Sequence, residues 1–158
     1  MNQPGVISVI WPYQLAHMNA SLIYLVDDDE DDRFFAKLTF QQHFSDSTLV
    51  CFEDGEEFLR HINQQTDSGV STAPLPDLVL MDLNMPLING FDTLRAIKQN
   101  EGWKHVPVAI LSTSDEPIDK ERSKALGACA FLTKPATFDL LASTIRAGHV
   151  VCEDFANE

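Results

Sequence analysis

The sequence predicts an α/β domain, a doubly wound five-stranded parallel sheet with five helices in a three-layer αβα sandwich. Three observations predict it. From Ser21 onward, strand-length apolar runs alternate with segments whose apolar residues recur at helical spacing, and the pair repeats five times. Strands joined through helices lie parallel, because a parallel pair needs a long crossover that a tight hairpin turn cannot supply. The third observation is chemical: the runs end in acids, a hydroxyl or a lysine, and open α/β sheets bind their ligands just outside the carboxyl ends of the strands.

In chain order, Leu22-Ile23-Tyr24-Leu25-Val26 is the first strand and runs into the acidic stretch from Asp27 to Asp32. Arg33 to Phe44 carries Phe34, Phe35, Leu38 and Phe44 at helical spacing and reads as the first helix. Leu49 to Phe52 is a short second strand, and Asp54 or Gly55 opens a second helix with Phe58, Leu59 and Ile62 on its apolar face. The small, polar stretch from Thr66 to Pro76 reads as a loop. The central strand follows and delivers Asp82 to its C-terminal end, where the chain breaks into a loop with Asn84, Pro86 and Gly90. Gly90 to Asn100 is the third helix, with Phe91, Leu94 and Ile97 inward. Val106 to Leu111 is the fourth strand, ending at Ser112-Thr113-Ser114. Glu116 to Leu126 is the fourth helix, stopped by Gly127. Ala128 to Leu132 is the fifth strand, ending at Thr133-Lys134-Pro135, and Phe138, Leu141 and Ile145 mark the fifth helix.

The 158 residues, 44% of them apolar, suit one domain with a proper core, read as 21–150. Residues 1–20 read as a loosely ordered N-terminal extension, with Met18 as an alternative start, and 151–158 as a tail. No apolar run approaches the roughly 20 residues of a membrane helix, and no basic segment precedes the short apolar patch at Val6 to Trp11, which argues against a secretory signal. The three cysteines, Cys51, Cys129 and Cys152, lack metal-ligand spacing; the first two read as buried thiols of a reducing compartment, hence a cytoplasmic protein. Twenty-four acids against 11 bases leave a net charge of −13, which repels a phosphate backbone and disfavours direct nucleic-acid binding.

In a parallel sheet the strand ends converge on one edge. Asp27 and Asp28, Asp82, Ser112 and Lys134 could therefore share a pocket. Three carboxylates repel one another unless a pKa rises or a hard cation neutralises them. Mg²⁺ suits such a site, because it takes oxygen ligands, keeps waters and bridges carboxylate to phosphate. An aspartate can also accept a phosphoryl group, a transfer that asks the protein mainly for positioning and charge neutralisation. Mg²⁺ and Lys134 would neutralise, and the Ser112 hydroxyl would hydrogen-bond a phosphoryl oxygen.

These residues resemble the receiver domains of two-component response regulators over about residues 21 to 148. The matching pieces are Val26-Asp27-Asp28, Met81-Asp82-Leu83-Asn84-Met85-Pro86 with Gly90, Pro107 through Ser112, and Phe131-Leu132-Thr133-Lys134-Pro135. The resemblance implies the flavodoxin-like strand order 2-1-3-4-5. It implies Asp82 as phosphoacceptor and Asp28, Asp82 and the backbone carbonyl of Asn84 as ligands of Mg²⁺, for which Mn²⁺ can substitute. Asp27 would act from behind these ligands or through a water. Lys134 and Ser112 would contact the phosphoryl group, Ser112 and Phe131 would switch, and Pro135 would follow a cis bond. Asn84, Ser114 and Thr113 stand where dephosphorylation and access are tuned. The commonest pattern is departed from at Asn89, usually an aspartate, and at Thr113, usually alanine or glycine. The implied protein is a stand-alone switch, not an enzyme. It would be phosphorylated by a histidine kinase or phosphotransfer protein and read by a downstream protein through the face of helix four, strand five and helix five, with homodimerisation left open.

Other readings compete with these. Asp29 to Asp32 reads as a solvated helix start, since acids stabilise helix N-termini. A calcium loop over Asp27, Asp29 and Asp31 fails, because Asp32 and Leu38 stand where a glycine and a glutamate are needed. A phosphatase with an aspartyl nucleophile would want an acid where Asn84 stands, and a flavin site would want a phosphate-cradling loop where the chain has Asp27 and Asp28. A degenerate receiver serving only as a scaffold would not need Asp82, Asp28 and Lys134 together. The five histidines, at 17, 43, 61, 105 and 149, have no ligand spacing.

Overall fold

The computed structural model describes residues 21–67, 73–135 and 141–142. Five strands, β1 (Leu22–Val26), β2 (Thr48–Phe52), β3 (Leu78–Met81), β4 (Val108–Ser112) and β5 (Ala130–Thr133), form one parallel sheet in the order β2-β1-β3-β4-β5. Four helices are described: α1 (Glu30–His43), α2 (Gly55–Asp67), α3 (Gly90–Gln99) and α4 (Pro117–Ala125). Of the expected fifth helix, Leu141 and Ala142 are helical and buried, while Phe138 and Ile145 lie outside the described residues, as do 1–20 and 151–158.

Every residue of β3 is buried, as a strand covered on both faces must be. Its side chains alternate between two cores. Val79 and Met81 join Tyr24, Val26, Val108 and Ile110 under α2 and α3, with Phe58, Ile62, Leu94, Ile97 and Trp103. Leu78 and Leu80 join Ile23, Leu25 and Ala109 on the other face, under Phe40 of α1, Phe44 at its C-terminal cap and Leu141. Each such side chain removed from water contributes about 1.5–3 kcal/mol against chain entropy.

The first helix departs from its sequence pattern. It begins at Glu30 rather than Arg33, because Asp29 caps it by accepting from the backbone N–H of Asp31 and Asp32. Its buried stripe is Ala36, Phe40 and Phe44, spaced by four. Phe35 lies one residue off that stripe, roughly 100° around the helix. Accordingly Phe34 and Phe35, read as part of the helical apolar pattern, are 55% and 62% exposed. β4 begins at Val108 rather than Val106, since Pro107 has no N–H for a ladder, although its carbonyl still accepts from Val79 at 2.9 Å. α4 opens with Pro117 in its first turn, and Gly127, with φ of 95°, turns the chain after it.

The register brings the strand ends to one edge, with β4 and β5 reaching slightly past β3. Val26 pairs with both Phe52 and Met81, Met81 with Ile110, and Ser112 with Thr133. The ladder extends one step beyond: Asp82 N donates to Val26 O at 2.9 Å, and Lys134 N to Ser112 O at 2.7 Å. The groups that follow β1, β3, β4 and β5 therefore emerge at one edge.

Candidate functional site

Asp27, Asp28 and Asp82 each place a carboxylate oxygen within 4.8 Å of the others, with Asp27 and Asp82 buried and Asp28 exposed. Three such charges in one place need a counter-charge. An all-oxygen donor set, open to solvent on the Asp28 side, fits a hard divalent cation that keeps part of its water shell. Asp27 is the most committed of the three. Its Oδ1 accepts from Asp29 N at 3.0 Å and its Oδ2 from Lys134 Nζ at 2.6 Å. Arg33 donates to its carbonyl oxygen at 2.8 Å, tying α1 to the end of β1.

Asp82 accepts a long bond from Asn84 N, at 3.4 Å, and lies 3.6 Å from Lys134 Nζ. Burial pushes its carboxyl from the ordinary 3.8 up to about 6, with Lys134 pulling down and Asp27 and Asp28 pushing up. Burial raises Asp27 as well, against the pull of its Lys134 hydrogen bond. Burial alone would lower Lys134, but its bonds to Asp27 and Asp32 and the charge of Asp82 outweigh that and leave it raised. The site is a set of carboxylates that want a cation, around a lysine that stays charged.

The loop after β3 is shaped to hold Asp82. Gly90 N donates to Leu83 O at 2.9 Å. A Cβ at Gly90 would collide with the Asp82 carbonyl and sit 2.7 Å from Leu83 Cα, so only glycine lets α3 start this close to the strand end. Asn89, where the commonest pattern has aspartate, caps α3 by accepting from Asp92 N at 2.9 Å. The departure thus keeps the cap and drops a charge.

Ser112 is fully buried at the end of β4, and its Oγ accepts from Ser114 N at 3.2 Å. Ser114 bonds across to Asp119 at 2.5 Å, anchoring the first turn of α4. Thr113 is exposed and lines an open cleft of about 480 Å³ together with Asp28, Asp82, Asn84 and Lys134. Phe131, half-buried on β5, lies under the ammonium of Lys120, 5.9 Å from the ring centroid. The Lys134–Pro135 peptide is cis.

The structure thus brings Asp28, Asp82, Asn84, Thr113 and Lys134 to one cleft, with Asp27 bonded to Lys134, Ser112 at the end of β4 and Phe131 on the neighbouring strand. It adds a residue that the sequence reading had assigned to solvent. Asp32 Oδ2 accepts from Lys134 Nζ at 2.7 Å.

The profile of the response regulator receiver domain family matches residues 23–146. The response regulator Rcp1 of Synechocystis sp. is 33% identical over 113 residues, 72% of this chain and 76% of that protein. Protein PilH of Pseudomonas aeruginosa is 30% identical over 125 residues, 79% of this chain and 94% of that protein. A crystal structure of the Mn²⁺-bound form of response regulator Rcp1 superposes with a TM-score of 0.65 at 30% identity, over 87% of this chain and 95% of that one. The phosphorylated cyanobacterial phytochrome response regulator RcpA gives a TM-score of 0.67 at 29% identity, over 86% and 93%.

Proposed function

Since the chain belongs to the response regulator receiver domain family and is a phosphorylation-activated response regulator, we propose that Asp82 is the residue phosphorylated, with Asp28, Asp82 and the Asn84 carbonyl holding Mg²⁺ or Mn²⁺. The observation that carries this reading is the convergence of three carboxylates and one lysine on a single strand edge. The relatives add weight: the Rcp1 structure is a Mn²⁺-bound form and the RcpA structure a phosphorylated one. Both oxygens of Asp27 are engaged by protein donors, which supports its acting from behind the direct ligands.

In the transfer, an Asp82 carboxylate oxygen attacks the donor's phosphorus in line. A new P–O bond forms, the bond from phosphorus to the donor breaks, and the donor leaves with that electron pair. When bound, the divalent cation neutralises oxygens of the carboxylates and of the phosphoryl group. Lys134 stays protonated and donates to a phosphoryl oxygen, and the Ser112 hydroxyl donates to another. Phosphorylation brings about two negative charges and new acceptor oxygens to Asp82. Ser112 and Phe131 then reposition, shifting the population of the α4–β5 face and the helix that follows. Ile118 on α4, 67% exposed, offers that face an apolar contact for a downstream protein. The donor is a histidine kinase or phosphotransfer protein, and the chain acts as a switch rather than an enzyme: Asn84 is an amide and cannot serve as the proton donor a hydrolase needs two residues after its nucleophile.

The test is chemical. Acetyl phosphate with Mg²⁺ is expected to give a protein-bound phosphoryl group that hydroxylamine removes, as it removes acyl phosphates, and that does not form in the presence of a chelator. A phosphoryl group that resists hydroxylamine would reject a carboxylate acceptor.

A further inference from the structure

Lys134 is held by more acid than a phosphoryl-binding lysine requires. Its Nζ lies 2.6 Å from Asp27 Oδ2 and 2.7 Å from Asp32 Oδ2, but 3.6 Å from Asp82 Oδ2. An ammonium has three donors, and two of them are taken before Asp82 is reached. The two bonded partners differ in kind. The Asp27 side chain is 1% exposed and that of Asp32 41%, so the first pair is fixed in the protein and the second is the one that can open into water. Asp32 is also well placed to hold on. Its backbone N–H is locked by the Asp29 cap at 3.1 Å, and it lines the same cleft as Asp82 and Thr113.

We propose that Asp32 is a positioning residue that brakes phosphoryl acceptance, by holding Lys134 in an ion pair that must be given up when Lys134 turns to the phosphoryl group. The proposal rests on the reading of Asp82 as acceptor. An incoming phosphoryl group carries negative oxygens that compete with the Asp32 carboxylate for the same ammonium. Once Lys134 has turned, Asp32 remains across the cleft as a like charge. Both effects have one sign: they slow the arrival of the phosphoryl group and shorten its stay.

The experiment measures single-turnover phosphorylation by acetyl phosphate at saturating Mg²⁺, followed by intact mass, and then the decay of the adduct after donor removal. Asp32→Asn is expected to accept about two- to fivefold faster and to hold the group longer, the range one partly exposed ion pair allows. Asp32→Glu, which restores the charge, returns both rates toward wild type. In a Lys134→Gln background the Asp32→Asn acceleration is smaller, because the ion pair is gone and only the like-charge repulsion remains. An Asp32→Asn protein no faster than wild type, an Asp32→Glu protein as fast as Asp32→Asn, or undiminished acceleration without Lys134 would each overturn the proposal. Failure of the underlying reading shows separately: wild type then takes up no phosphoryl group, or Asp82→Asn takes up as much.

Discussion

Lys134 Nζ stands 3.6 Å from Asp82 Oδ2, beyond hydrogen-bond reach, although both groups are largely buried in one cleft. The shorter bonds of the lysine go to Asp27 and Asp32. Asp82 is thereby left as a buried carboxylate close to a positive charge but not bonded to it. That is a poor arrangement for stability and a good one for a group that must react.

The cost is visible in pH dependence. Asp82 titrates at about 6 in the folded protein against 3.8 ordinarily, so the folded state binds its proton more tightly than the unfolded chain. Its contribution is therefore most favourable at low pH, and stability falls as pH rises between about 4 and 6. In metal-free protein, Asp82→Asn is expected to gain on the order of 1–2 kcal/mol at about pH 8, after discounting for solvent screening, and almost nothing at about pH 4. Urea denaturation at the two pH values measures this. A gain of equal size at both would mean that the charge of Asp82 is not its source.

Lys134→Ala removes the only described ammonium partner of Asp27, whose side chain is 1% exposed. Leaving a buried carboxylate without its partner is expected to cost about 2–4 kcal/mol in metal-free protein. Saturating Mg²⁺ restores part of that, because a divalent charge at the same carboxylates supplies the missing neutralisation. Thermal melts with and without Mg²⁺ read the difference, and a loss unaffected by Mg²⁺ would separate the lysine from the metal site.

Gly90→Ala puts a methyl group against the backbone of Asp82 and Leu83, neither of which can rotate away. The expected cost is about 2–3 kcal/mol of overpacking, together with slower phosphorylation as the Asp82 loop shifts. Gly102→Ala is the matched comparison, since its Cβ would meet no atom closer than 3.4 Å. Equal stability of the two variants would remove the packing argument.

Mg²⁺ binding to the folded protein alone stabilises it by mass action, about 2.7 kcal/mol at a hundred times Kd. Asp28→Ala is expected to abolish most of this gain and Ser112→Ala to keep it, because Ser112 contributes no proposed metal ligand. Calorimetric titration with Mg²⁺ provides the affinities, and undiminished affinity in Asp28→Ala would remove Asp28 from the ligand set.

The fold was legible because burial on both faces writes itself as short apolar runs, as at Leu78–Met81. Asp27, Asp28, Asp82, Ser112 and Lys134 could be placed together because parallel strands deliver their following residues to one edge. What stayed hidden depended on phase and reach. The rotation of α1 is set by the Asp29 cap and the stripe Ala36, Phe40 and Phe44, and helical spacing alone did not show that Phe34 and Phe35 lie off that stripe. The Asp32–Lys134 pair joins residues 102 positions apart, and no local pattern records which of several acids a distant lysine will choose.

The central claim is that Asp82 carries the phosphoryl group. The most direct measurement is intact mass, with peptide mapping, of wild type and Asp82→Asn after incubation with acetyl phosphate and Mg²⁺. The account predicts one phosphoryl group on wild type, mapped to the peptide containing Asp82, and none on Asp82→Asn. An equal adduct on both proteins, or none on wild type, would contradict it.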